Sequence, residues 1–564
     1  MSIKCKTQKN RILLLMPVLI TVLALATKMV RFIVNDDIGM MRIAESYATN
    51  ARSEHLIFMN VVYGYLLKAL YHFFGSVNWF VLLELFVLNI AFIALFYIVL
   101  HFRAGAVGVA ALCCAELFFL ANFTFTSIAF VCALAGMLWM LTFVRELKQE
   151  NIKHIVISVI LFSLGFLMRS GGTYLLTVAH CIPVMAFAWL KKRNKASVIA
   201  LMLVLCTVCS FTASGINKNY QENIPDETYF NEFNEYRFEA TDGGAFNYTL
   251  HSKELKEAGI TRIDYRLLSH WTFADRNVFT GDTMKAVADS RDFNEKYQLS
   301  VPKLLKAFFE LEKLPALVLA LLIFSVLILL FAKRCRWEAL CSALFTCGGI
   351  GYLFFRRRAL ERVTDGVILC GFILLLYIVI SAYPDLTKRI ASKIKLKVPK
   401  KNAVIASLCA LMVVATCAFN VYHLSVFKAR GNAISDVLEY MEENDDVIYL
   451  SDPYCFDKYL DNTVSDHILK PYVFDTVKVY TMLGGWYIYS DYYYDYMERI
   501  GLGKYSDSAI SALLDENVYY ITKKFPADTF VTYFKQHYKK KVAYDVIKEY
   551  PDKNIVIYNY YEIP

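Results

Sequence analysis

The sequence predicts an α-helical polytopic membrane protein with about eleven transmembrane helices and an extracytoplasmic α/β domain at its C-terminus. Three observations predict it. Hydrophobic residues fill 57% of the 564 positions and mean hydropathy is positive, at +0.40, outside the range of an ordinary soluble domain. Apolar runs of spanning length recur up to residue 422. They must be helical, because a bilayer core about 30 Å thick offers backbone groups no other partner. Beyond residue 422 the runs give way to short β-branched and aromatic stretches interleaved with a helix.

The first run, Ile12 to Val34, follows Lys4, Lys6, Lys9 and Arg11. Ala24-Leu25-Ala26 matches a signal-cleavage pattern, but apolar residues continue past it, so a retained signal anchor is expected. Lys28 and Arg31 interrupt its last third, where they are expected to snorkel to the interface. Further spans are expected at 79–101, 104–121, 125–144, 153–168, 172–190, 196–214, 313–332, 337–355, 363–382 and 402–422.

Basic residues set the orientation. With the N-terminus inside, the inner connections hold Arg103; Arg145, Lys148 and Lys153; Lys191 to Lys195; Lys333, Arg334 and Arg336; and the lysines and Arg389 between 388 and 401. Two long segments, 215–312 and 423–564, then fall outside, as does 35–78. The stretch Leu56–Phe74 resembles a span, but counting it would invert every later loop. It reads as one or two interfacial helices, with Ile57, Tyr63 and Leu67 facing acyl chains.

Segment 215–312 is too rich in aromatics for a disordered linker, and helices are expected near 251–258, 283–290 and 301–312. In the tail, Ser435 is expected to cap a helix through Glu443. Strands are expected at Val447–Leu450, Val518–Thr522, Val542–Ile547 and Ile555–Tyr558, with a helix near 527–537. Tyrosine is dense between Trp486 and Tyr496, which suits either a carbohydrate-stacking surface or core and interface packing. The organisation expected is a transmembrane unit over 1–422 and an outer domain over 423–564.

Net charge is +9, but the basic residues cluster between spans and so report topology, not a nucleic-acid partner. Most of the 14 cysteines lie in apolar runs. Cys455 alone falls in a long outer segment, so no disulfide framework is expected there.

The residues suited to chemistry gather on the expected outer face. Asp36 and Asp37 follow the first span, at a depth where a carboxylate pair costs far less than at mid-membrane. Ending the helix in solvent is the bland reading of Asn35, Asp36 and Asp37. Arg169 ends the fifth span, and Arg356, Arg357, Arg358 and Arg362 crowd a short loop between spans. Those arginines oppose the positive-inside trend, and guanidinium groups suit phosphate oxygens; contact with lipid phosphates is the simpler alternative. A sugar on a polyprenyl phosphate leaves readily if its phosphate charge is held, while the incoming hydroxyl needs a base. Either aspartate can serve. His55 and Asn60 lie on the loop returning toward the pair, where they can orient substrate or simply cap and pack. Trp271 and Asp275 would share a helix face and can close the cavity or form a buried structural pair.

An acidic pair after span one, interfacial helices behind it, many spans and a late outer arginine resemble the GT-C superfamily of polyprenyl-phosphate-sugar-dependent glycosyltransferases. A bacterial group within it is similar at Asn35-Asp36-Asp37, at Glu54-His55-Leu56-Ile57-Phe58-Met59-Asn60, and at Phe123-Thr124-Phe125-Thr126 with Ala133 and Gly136. It is also similar at Leu167-Met168-Arg169, at Trp271 to Asp275 with Val278-Phe279, and at Gly484-Gly485-Trp486. One departure is Glu54, where Asp is expected before the histidine; a carboxylate remains.

The resemblance implies inverting transfer of a sugar from a polyprenyl-phosphate donor to a cell-envelope glycan, lipid or polymer on the outer face. It implies Asp36 or Asp37 as base. The residues themselves offer Arg169, Arg358 and Arg362 for the donor phosphate and Glu54, His55, Asn60, Trp271 and Asp275 for the substrate. No cofactor is named with certainty. A divalent metal stays open, Asp36, Asp37, Glu54 and His55 being the ligand set available. Two other classes remain: a transporter or flippase of lipid-linked sugars, for which internal repeats and midplane charges are missing, and a non-catalytic polysaccharide-assembly scaffold that uses its tail.

Overall fold

The computed structural model describes residues 12–45, 52–144, 149–170, 196–224, 226–242, 247–311, 313–393, 401–431, 434–452, 455, 465–470, 480–523 and 525–564. The expected span at 172–190 and the basic cluster Lys191–Lys195 lie outside them. Helices, most of them apolar, make up the first part: α1 Met16–Ala26, α2 Asn35–Glu45, α3 Val61–Phe73, α4 Trp79–His101, α5 Ala106–Ala121, α6 Phe125–Phe143, α7 Ile152–Met168 and α8 Ala196–Gln221. The outer segment follows as α9 Glu227–Arg237, α10 Ser252–Glu257, α11 Arg262–Ser269, α12 Gly281–Ser290, α13 Phe293–Lys296 and α14 Val301–Glu310. Then come α15 Leu314–Phe331, α16 Arg336–Phe355, α17 Glu361–Ala382, α18 Leu386–Lys393 and α19 Lys401–Gly431. Among the described residues, α4, α6, α8, α15, α16, α17 and α19 are long and apolar enough to cross a membrane, and α1, α5 and α7 are shorter apolar helices. The architecture is that of a helical polytopic membrane protein with a small C-terminal sheet.

α6 is the axis of the bundle, its whole length buried among neighbours. Gly136 and Ser158 bring α6 and α7 into backbone contact. A Cβ on Gly136 would meet Ser158 O at 2.7 Å, and Ser158 Oγ donates to Gly136 O at 2.7 Å. Small residues at such crossings let membrane helices approach closely.

The run 12–34 is not one helix. α1 stops at Ala26, Lys28 adopts φ +54°, and Phe32 forms a bridge with Phe123. Irregular backbone survives there because protein groups take its bonds: Arg31 N donates to Leu120 O and Phe123 N to Arg31 O. Arg31 does not snorkel to lipid. It is buried and pairs with Asp466 of the tail.

α3 is about 20 Å long at 1.5 Å per residue, too short to span. Its two apolar stripes are the reverse of the expected ones. Tyr63, Leu67 and Tyr71, one turn apart, are buried in the core, whereas Val62, Tyr65, Leu66, Phe73 and Phe74 are exposed.

The spans sort their ends. The Asp36 turn, the 356–360 loop, the outer segment and the tail share one end. At the other, Asp385 N donates to Phe102 O, Thr387 N to Ala104 O and Arg334 N to the Tyr383 hydroxyl, so Arg103, Arg334 and Arg389 meet there.

In the tail, α20 Ser435–Glu443 and α21 Asp491–Arg499 accompany a five-stranded sheet of β1 Ile448–Ser451, β2 Tyr480–Met482, β3 Val518–Lys523, β4 Val542–Tyr550 and β5 Ile555–Glu562, with α22 Asp528–Tyr533 between β3 and β4. The order is β2-β1-β3-β5-β4; β1 is parallel to β2 and β3, and β5 antiparallel to β3 and β4. Ser435 opens α20 without a side-chain capping bond. The sheet does not build its core alone. Phe233, Leu267, Phe273 and Met284 of segment 215–312 interleave with Leu450, Leu483, Tyr520 and Phe530 in one hydrophobic cluster.

Candidate active site

The Asp pair opens a helix rather than ending one. Asp36 and Asp37 occupy the first turn of α2, where carboxylates suit the helix dipole. Neither is in solvent: Asp36 is 4% exposed and Asp37 0%. The bridge between Phe32 and Phe123 aligns the two backbones and sets the Phe125 N–H on Asp37 Oδ1 at 2.7 Å. Asp37 Oδ2 is buried and has no hydrogen-bond partner among the described residues. Burial pushes the Asp37 carboxyl up to about 8; the Asp36 charge adds to the rise, and the Phe125 N–H, Thr124 and Arg362 oppose it.

Arg362 comes from the far side of the sequence. α16 ends at Phe355, Arg357 takes φ +55° to turn the chain, and α17 starts at Glu361. Arg362, in the first turn of α17, lies 2.8 Å from Asp36 Oδ2. Arg169, the C-cap of α7, places its guanidinium 5.0 Å from the Phe58 ring centroid and 5.6 Å from that of Phe125. It lies within the fields of Asp36, Arg362, Arg358 and Asp37. Arg358 stacks 3.7 Å over Phe238. Among the described residues no carboxylate pairs with the side chain of Arg169 or Arg358. Asp36, Asp37, Arg169, Arg358 and Arg362 therefore converge.

Arg237 joins them, although nothing in the sequence singled it out. It is buried, pairs with Asp242 at 3.0 Å, stacks 5.0 Å from the Trp271 centroid and senses the charges of Asp36 and Arg358. Its only sequence signal was a cation within an aromatic stretch, Tyr229 to Phe238.

The other candidates are engaged elsewhere. Glu54 pairs with Lys68 and accepts from the Tyr220 hydroxyl at 3.1 Å. His55 is buried between Glu227, 3.4 Å from Nε2, and Asp491, 3.3 Å from Nδ1. Asn60 caps α3, accepting from Val62 N at 3.0 Å and donating to Ala213 O at 2.8 Å. Asp36, Asp37, Glu54 and His55 thus form no ligand set. Among the described residues no group of three or more His, Cys, Asp or Glu side chains is placed to hold a metal.

Trp271 and Asp275 do not share a helix face. Trp271 has φ +56°, and Phe273 N and Ala274 N both donate to Leu483 O, which draws the stretch out of helix and onto the tail. Asp275 is buried and accepts from the hydroxyls of Tyr533 and Tyr538, each at 2.6 Å. It fastens the outer segment to the tail, while Trp271 stays at the arginine cluster.

No protein-family profile matches the chain, and no curated protein sequence does. Among solved structures, the crystal structure of ArnT from Cupriavidus metallidurans bound to undecaprenyl phosphate covers 96% of this chain and 97% of its own, with 11% sequence identity and a TM-score of 0.35. That likeness is too distant to assign residues.

Proposed function

We propose that the chain is an inverting glycosyltransferase of the GT-C type, which moves a sugar from a polyprenyl-phosphate donor to a cell-envelope glycan, lipid or polymer on the outer face of the membrane. The observation that carries this reading is the contact between Asp36 and Arg362. It joins a buried carboxylate pair to a group of guanidinium side chains at one end of the spans. The basic residues Arg103, Arg334 and Arg389 at the opposite end support a cytoplasmic side there under the positive-inside rule, with the site facing outward and the N-terminus inward.

Arg169 and Arg358, stacked on rings and with no carboxylate partner among the described residues, hold the donor phosphate. Asp37, whose Oδ2 has no hydrogen-bond partner among the described residues and whose proton affinity is raised, takes the proton of the acceptor hydroxyl. That oxygen bonds to the anomeric carbon from the face opposite the phosphate. The bond from that carbon to the phosphate oxygen breaks, and polyprenyl phosphate leaves with the electron pair. Asp36 keeps Arg362 oriented.

The test is undecaprenyl phosphate binding to the full chain in lipid nanodiscs. Arg169→Ala combined with Arg358→Ala should weaken binding at least tenfold, whereas affinity equal to the parent protein refutes the donor assignment.

A further inference from the structure

Trp486 of the tail sits against the helix that carries the aspartates. A Cβ on Gly39 would lie 2.5 Å from Trp486 Cζ2, so the indole occupies the space a side chain at 39 would fill. Gly39 is three residues beyond Asp36 in α2 and shares its face, one helical turn away. The indole also packs on Phe58, with ring centroids 4.6 Å apart and the ring planes tilted by 46°, and Phe58 is the ring on which Arg169 rests.

Two more glycines make this approach. Gly484 is pressed so closely onto the Trp271 carbonyl that no Cβ fits, and Gly485 takes φ +118°. The turn that results is tied down by Leu483, whose N–H donates to Ser451 O and whose carbonyl accepts from Phe273 and Ala274. Beyond it, Tyr489, Tyr492, Tyr493 and Tyr496 are buried in the body of the protein, whereas Trp486 stays half-buried.

We propose that Trp486 is the platform on which the acceptor sugar stacks beside Asp36 and Asp37, so that the tail supplies one wall of the transfer site. This rests on the reading of the Asp36–Arg362 site as a glycosyltransferase centre. The donor phosphate has its guanidinium groups, and the polyprenyl chain has the lipid-facing helices. The acceptor alone still lacks a surface, and its hydroxyl must come beside the carboxylates. Trp486 arrives there from the polar outer body, not from a lipid-facing helix. An indole face suits the C–H face of a pyranose and leaves the ring hydroxyls to water and polar groups.

The test uses the full chain in nanodiscs and methyl glycosides of glucose, galactose and N-acetylglucosamine as probes, read by saturation-transfer NMR. At least one glycoside should show transfer to its ring protons with the parent protein. Trp486→Ala should abolish that signal, Gly39→Ala should reduce it at least fivefold by displacing the indole, and Trp486→Phe should retain most of it. Undecaprenyl phosphate affinity should stay within twofold in all three. If Trp486→Ala fails to fold, Gly39→Ala decides. Equal signals in parent and Gly39→Ala proteins, or no glycoside signal from the parent, overturn the platform. Loss of undecaprenyl phosphate binding by the parent itself would instead overturn the transferase reading.

Discussion

Asp36 Oδ2 and a terminal nitrogen of Arg362 lie 2.8 Å apart, although one residue follows the first apolar helix and the other opens α17. Both side chains are largely withdrawn from water. Removing one member of such a pair strands a buried charge, at a cost of about 3–5 kcal/mol, while removing both costs less. Arg362→Gln should therefore destabilise the protein more than Asp36→Asn combined with Arg362→Gln, as read by thermal unfolding in detergent. Strictly additive effects would mean that the two groups do not touch.

The Asp37 carboxyl, raised by burial to about 8, gives the site a pH signature. Because its folded-state pKa lies above the unfolded value, its contribution to stability is complete below about 4 and is lost as pH rises through about 8. Relative to Asp37→Asn, the parent protein should lose stability steadily across that window. A difference between the two that stays constant from pH 4 to 8 would contradict the assignment.

His55 responds in a different window. Burial disfavours its imidazolium, but the Asp491 hydrogen bond and the charges of Asp491, Glu227 and Glu54 outweigh that and hold its pKa above 6.5. Its contribution is complete below 6.5 and fades as pH rises through the higher folded value. Hydrogen exchange in α9 should accelerate as pH climbs past that point, beyond the intrinsic dependence, and His55→Gln should remove the excess. An identical excess in the variant would show that His55 does not join the first loop, α9 and the tail.

Most helices were legible because spans announce themselves as apolar runs. The faces of α3 were not. Leu67 is as apolar as Leu66 and Tyr63 is the same residue type as Tyr65, and only the neighbouring helices decide which stripe is covered. Helical spacing from Trp271 to Asp275 failed because Leu483, far along the chain, captures the N–H groups of Phe273 and Ala274. β2 has three residues, too few for a period to register. Within the site, the acids and the arginines at 169, 358 and 362 could be named because charge beside an apolar run needs a reason. Arg237 lies in polar, aromatic surroundings where such a residue is ordinary, and only tertiary placement sets it apart; Trp486 was marked in Gly484-Gly485-Trp486 and at the head of a tyrosine-dense stretch, but its place beside α2 comes only from the tertiary fold.

The most direct measurement of the central claim compares lipid-linked sugars and surface glycans, by mass spectrometry, in cells carrying the parent protein or Asp36→Asn combined with Asp37→Asn at equal membrane abundance. The account predicts that one surface glycan modification disappears and its polyprenyl-phosphate-linked sugar accumulates. An unchanged surface glycan in the double variant would contradict it.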